Sequence, residues 1–218
     1  MATPPLVAKK VEQFFSDYPL KQFEKGQLLL LADENPKHIF YLVKGLVREY
    51  DISYRGEEVV VNVFKPLAFF PMSWAVIKIP NRYFLEAAED VIIRLAPPEE
   101  VLEFIKQNPD VMLDLLSRLY SGVDGLRRRM AHLMGGSAKS RLLFELIVEC
   151  RRFGKPSKDG SYLIDMNEAE IGARAGLSRE TVSREMKELK KVNLLTVSRK
   201  GVRLKDLDRL EKRLGPDL

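Results

Sequence analysis

The chain has 218 residues, 45% of them hydrophobic and 31% charged, with a net charge of +5. This composition supplies one mid-sized core and a smaller one, and excludes a disordered chain. No apolar stretch reaches the length of a membrane span, MATPPLVAKK has no apolar run behind its basic pair, and the one cysteine, Cys150, can form no internal disulfide, iron–sulfur cluster or structural zinc site, so a cytoplasmic protein with no membrane partner is expected.

A helical segment, about Pro5 to Tyr18, comes first. Between Phe23 and Leu95 lie short apolar or alternating runs: Gln27–Leu31, Ile39–Leu42, Leu46–Tyr50, Val59–Phe64, Tyr83–Ala87 and Val91–Leu95. They are separated by the turn signals Lys25-Gly26, Asn35-Pro36, Lys44-Gly45, Tyr54-Arg55-Gly56 and Pro80-Asn81. Even spacing with Gly and Pro punctuation predicts an antiparallel roll or barrel. A short helix, Pro98 to Lys106, should follow it.

A long helix is expected from about Pro109 to Met134. Met112, Leu116, Leu119, Val123, Leu126, Met130 and Leu133 recur at alternating spacings of 4 and 3, which is the pattern of a coiled-coil seam in a homodimer; the alternative is a core helix packed only on its own β domain. Leu113, Leu115 and Tyr120 lie off the seam and are candidates for contact with the chain's own β domain. Gly122 and Gly125 weaken the middle of the helix by roughly 1 kcal/mol each relative to Ala, and suit close helix approach or a bend.

Residues 167 to 192, NEAEIGARAGLSRETVSREMKELKKV, read as helix, turn and helix. Asn167 and Glu170 form a capping box, Gly176 supplies the left-handed position that ends the first helix, and Ser178 caps the second. Val182, Met186 and Leu189 gather on one stripe of the second helix, leaving Glu180, Arg184, Lys187 and Lys191 opposite. Arg179 lies in the first turn, where a recognition helix goes deepest into the major groove. Arginine can fork onto guanine, and a carboxylate can accept from the cytosine amino group. Two β-like runs, Leu194–Ser198 and Val202–Leu204, flank the basic tip Arg199-Lys200-Gly201, so a winged helix-turn-helix for double-stranded DNA is predicted.

Charge distribution agrees with this assignment. Residues 137–218 carry 19 Lys/Arg against 13 Asp/Glu, whereas residues 1–136 carry 17 against 18. The basic surplus thus sits in the C-terminal part, as a nucleic-acid-binding domain requires. No P-loop, Gly-rich dinucleotide turn or nucleophile–histidine pairing is visible. His38 and His132, the only histidines, are 94 residues apart and form no cupin-type metal site. No catalytic residue, metal or cofactor is therefore expected. Cys150 is expected to pack within a helix.

The succession of β roll, long helix and winged helix-turn-helix resembles the CRP/FNR family of bacterial transcription regulators over nearly the whole chain. The roll carries Lys25-Gly26, Pro36, Tyr41 to Arg48, Gly56-Glu57-Glu58 and Phe64-Lys65-Pro66. The C-terminal part carries Glu170-Ile171-Gly172, Gly176 to Arg184, Leu189, Asn193-Leu194-Leu195 and Gly201 to Asp206. The resemblance implies an α+β protein in three parts: a jelly-roll-like β domain at 1–107, a dimerisation helix at 108–136, and a DNA-binding domain at 137–218. It implies that Arg179, Glu180 and Arg184 read a TGTGA-like half-site and that Ser178 and Thr181 meet phosphate; Ser183, Lys187, Arg199 and Lys200 are further candidates for the interface. RNA polymerase is the further partner it implies.

In cyclic-nucleotide-binding members a Gly-Glu pair and a later Arg-Ser/Thr-Ala hold the ribose and the cyclic phosphate. In this chain Met72 stands where the Glu belongs, and Asn81-Arg82-Tyr83-Phe84 replaces the triplet. Control by cyclic AMP is therefore not expected. A filled pocket is one reading; the other is a different, more apolar effector bound near Met72, Trp74, Arg82 and Tyr83.

Overall fold

The computed structural model describes residues 3–214 except 55 and 57, so Arg55 of the Tyr54–Gly56 turn and Glu57 of the Gly56-Glu57-Glu58 motif lie outside the described residues. The chain divides into two compact units, Met1–Ser121 and Gly122–Leu218, with the division inside the long helix.

In the first unit α1 (Pro5–Ser16) starts on a proline, which tolerates the first helical turn because no backbone amide is needed there. Its inward stripe is Val7, Val11 and Phe15, spaced four apart. The strands β1 (Leu20–Phe23), β2 (Leu28–Leu30), β3 (Ile39–Lys44), β4 (Val47–Ile52), β5 (Glu58–Phe64) and β6 (Phe69–Phe70) follow. After α2 (Met72–Ile77) come β7 (Phe84–Ala87) and β8 (Val91–Ala96). They form two antiparallel sheets, ordered β1-β8-β3-β6 and β2-β7-β4-β5. This is the expected roll. Each of the six foreseen runs contains a strand, while β1 and β6 are additions: β1 is largely exposed and β6 has two residues, so neither shows an alternating apolar pattern.

Two clusters fill this unit. Leu30, Leu42, Val47, Phe70, Leu85 and Ile93 are among the residues that occupy one, with Phe64 stacked on Phe70 at 4.1 Å. The other joins Val11, Phe15, Tyr41 and Phe69 to α3 (Pro98–Gln107) and the start of α4 (Pro109–Gly135). Val111 is buried in it and Leu115 packs against it. Leu113 and Tyr120, also candidates for contact with the β domain, are instead 64% and 71% exposed. At about 100° per residue they fall on the side of α4 opposite Val111.

The second unit contains the rest of α4, then α5 (Ala138–Phe153), β9 (Lys155–Pro156), β10 (Tyr162–Ile164), α6 (Glu168–Ala175), α7 (Arg179–Lys191), β11 (Leu195–Ser198), β12 (Gly201–Leu204) and α8 (Leu207–Leu214). One antiparallel sheet, β11-β12-β10-β9, backs the helices. Leu142, Leu146 and Ile147 of α5 meet Val182, Met186 and Leu189 of α7 and Val202 and Leu204 of β12 in a single core. Cys150 is buried there, and burial pushes its thiol up to about 11, so it stays protonated and packs as a small apolar group.

Gly201, at φ 115°, starts β12 opposite Ser198, and a Cβ built there would lie 2.1 Å from the Ile164 carbonyl oxygen. Gly201→Ala should therefore destabilise the C-terminal unit by about 1–3 kcal/mol, through both the backbone region and the clash. A melting curve matching that of the parent protein would show that the hairpin has room to adjust.

Candidate nucleic-acid interface

The helix-turn-helix is set by local chemistry. Asn167 Oδ1 accepts from the amides of Ala169 and Glu170 at 2.9 and 3.0 Å, while Glu170 Oε2 accepts from the Asn167 amide at 2.7 Å. These contacts satisfy amides that a helix start would otherwise leave without partners. Gly176 takes the left-handed cap at φ 60° and ends α6. Ser178 then caps α7, its hydroxyl accepting from the Thr181 amide at 3.3 Å.

Close approach of the two helices depends on Gly172. A Cβ there would sit 2.8 Å from the Leu177 carbonyl oxygen and 3.3 Å from Val182 Cγ2. Its absence lets Val182, Met186 and Leu189 sink completely, and the opposite face of α7 stays in water.

That face carries the residues expected to meet DNA. Arg179, Glu180, Ser183, Arg184 and Lys187 line one open groove of about 530 Å³, so the structure brings these five together. A second groove, of about 410 Å³, adds Asn167, Glu168, Ala169, Val197 and Ser198 beside Arg179. It links the start of α6 to the hairpin, a juxtaposition that spacing along the chain does not show. Ser178 is exposed and Thr181 half-buried at the start of α7, while Arg199 and Lys200 are exposed at the hairpin tip. Ser198 Oγ accepts from the Lys200 amide at 3.2 Å and donates to the Gly201 carbonyl at 3.3 Å, which ties that tip.

Electrostatics keep the face ready for ionic contacts. The backbone amide of Glu180 itself, then the Ser178 hydroxyl and the Arg179 charge, hold the Glu180 carboxyl below the usual carboxylate range. It is therefore an acceptor at neutral pH. Arg184 rests with Nε and Nη2 each 3.4 Å from Glu185 Oε1, a long, exposed pairing that a better acceptor can displace.

The seven seam residues of α4 are all exposed in the single chain, from 37% at Met112 to 62% at Leu119. Leu133, at the end of the seam, also lies beside the turn glycine Gly176. At Gly122 and Gly125 an added Cβ would meet nothing within 4 Å.

The four residues named for an effector are differently placed. Met72 packs against the cluster of α1 and α3, and Trp74 carries the Lys78 ammonium 5.5 Å from its ring. Arg82 and Tyr83 are exposed. Asn81 is buried, its amide donating to the carbonyls of Leu31 and Tyr83, so it serves as a peg between loops. Among the described residues, no group of three or more His, Cys, Asp or Glu side chains is placed to hold a metal ion, and no helix is long and apolar enough to cross a membrane. His38 is exposed, and the His132 ring lies 4.3 Å from that of Phe144.

Arg129, Arg141, Glu145, Glu149 and Arg174, none of them among the residues expected from the sequence, join the helices behind this interface. Two carboxylates one turn apart inside the apolar run LLFELIVEC were the available signal.

Comparison with known proteins gives a Crp-like helix-turn-helix domain over residues 140–213 and a cyclic nucleotide-binding domain over residues 20–108. The global nitrogen regulator of Synechocystis sp. is 25% identical over 84% of this chain and 83% of its own length. The cAMP-activated global transcriptional regulator CRP of Pasteurella multocida is 23% identical over 93% and 97%. The solved structure of a CRP/FNR-family transcriptional regulator from Thermus thermophilus shares the fold, with a TM-score of 0.74 and 22% identity over 92% of this chain and all of the other.

Asn167→Ala removes the acceptor for two α6 amides and should cost about 1 kcal/mol. Amide exchange of Ala169 and Glu170 should quicken; unchanged exchange would mean that water replaces the cap at no cost.

Proposed function

We propose that this chain, which belongs to the CRP/FNR family of DNA-binding transcription regulators, works as a homodimer that reads a palindrome of TGTGA-like half-sites without control by cyclic AMP. The observation that carries this reading is the groove on α7, where Arg179, Glu180 and Arg184 stand exposed on a helix whose other side is wholly buried. The arginines have the fork that guanine O6 and N7 require, and the ionised Glu180 accepts from a cytosine amino group. Ser178 and Thr181 hydroxyls, Lys187 and the hairpin tip Arg199-Lys200 meet phosphate, which supplies most of the affinity and its salt dependence. Ser183 lies within the same groove, at the edge of the reading set.

The exposed seam on α4 supports the dimer. Leucines that are 62% and 55% exposed at positions 119 and 126 would be left in water by a monomer, and a second copy related by a twofold axis covers them with the same residues. Two α7 helices then meet successive major grooves about one helical turn apart. The protein acts in the cytoplasm, where its DNA is, and RNA polymerase is its partner in transcription.

Independence from cyclic AMP rests on side chains. Met72 offers no acceptor where a ribose-binding carboxylate would stand, Arg82 is exposed to solvent, and Phe64, Phe70 and Leu85 help to fill the interior of the roll. The second reading is a regulator of the same fold gated by another small effector, and the half-buried Met72 and Trp74 of α2 favour an apolar one.

Arg179→Ala and Arg184→Ala should each weaken binding to the palindrome by about 1–3 kcal/mol and binding to random duplex by much less. Equal losses on both DNAs, measured by fluorescence anisotropy at fixed salt, would remove these residues from base reading. Leu119→Glu combined with Leu126→Glu should sediment as a monomer; a persistent dimer would place the interface elsewhere.

A further inference from the structure

Glu145 and Glu149 stand one turn apart on α5, 3% and 6% exposed, within its apolar run. Carboxylates at this spacing repel, and a buried charge without a partner is strongly destabilising. Each therefore needs a cation, and each receives one from a different helix. Arg129 of α4 donates from Nε and Nη2 to the two oxygens of Glu145 at 2.7 and 2.8 Å. Arg174, in the last turn of α6, donates from Nη1 to Glu149. Arg152 adds its charge within electrostatic range of both carboxylates.

Ion pairs thus run in series from α4 through α5 to α6, the helix that leads through Gly176 into α7. Two contacts run parallel to them: the rings of His132 and Phe144 lie 4.3 Å apart, and Arg141 Nη1 donates to the Gly176 carbonyl at 3.2 Å. Apolar burial holds the helices together but is itself non-directional. A bidentate guanidinium–carboxylate fork fixes both distance and angle, and turning α4 would strand a buried charge.

We propose that Arg129, Glu145, Glu149 and Arg174 are positioning residues of the DNA reader, locking α6 and α7 in one orientation on the last turns of α4 and thereby setting which half-site spacing the dimer accepts. This rests on the dimeric reading above. None of the four need touch DNA. Their effect is on geometry: a dimer formed along α4 carries its two reading helices at a separation fixed by how each is seated on that helix.

The test uses the full chain and a series of TGTGA palindromes whose central spacers differ by one base pair. The parent protein should favour one spacer by about tenfold over its neighbours, since each added base pair rotates one half-site about the DNA axis. In Glu145→Gln and Arg129→Met that preference should fall to about threefold or less, with the preferred half-site sequence unchanged. Arg129→Lys keeps the charge and loses the fork, so it should fold like the parent and still relax the spacing. Variants that bind every spacer more weakly by one common factor, or that discriminate like the parent, would overturn the positioning role and leave a purely structural network. A parent protein that treats all spacers alike would overturn the dimeric reading first, and the positioning role with it.

Discussion

Everything on the reading face of the C-terminal unit depends on how closely α6 approaches α7. With no side chain at Gly172, the Leu177 carbonyl and Val182 can sit where a Cβ would be. That approach buries Val182, Met186 and Leu189 against α5 and the sheet, and burial of three large side chains contributes several kcal/mol to holding the helix. Only then does the charged side of α7 become a fixed array. A bulkier residue at 172 would push the helices apart and turn the array relative to the hairpin, even though no DNA-contacting side chain had changed.

Much of this was legible because it is local. The capping box, the left-handed glycine and the i, i+4, i+7 stripe each lie within a few residues, and the structure reproduces α6 and α7 as Glu168–Ala175 and Arg179–Lys191. The roll was legible as six apolar runs with turns between them. Strands that carry no alternation, such as β1 and β9, were not, because they pair at an edge and bury little. Between Gly136 and Asn167 the sequence places Cys150 in a helix but shows no bounds for it, and α5 lies there. Leu142, Leu143, Phe144, Leu146 and Ile147 are all buried, so α5 lacks the single apolar stripe that marks a surface helix.

The candidate site divides in the same way. Residues that act from one helix face were found by period; the groove joining Asn167 and Arg179 to Val197 and Ser198 required three elements to meet. The ionic series behind it was hidden for the same reason, since Arg129 and Glu145 are 16 residues apart and Arg174 and Glu149 are 25. Arg82 and Tyr83 are a third case. Their neighbourhood looked apolar in sequence, yet both are exposed while Asn81 takes the buried place.

The division of labour is physical. Lys and Arg charges near phosphate give affinity that any DNA can claim, and in the proposed reading three side chains on α7 convert it into preference. In that reading a cyclic nucleotide has no part in the array. The most direct test is selection of bound sequences from random duplex DNA by the full-length protein, with and without cyclic AMP. The account predicts the same TGTGA-like palindrome in both selections. An unenriched pool, or a palindrome recovered only when cyclic AMP is present, would contradict it.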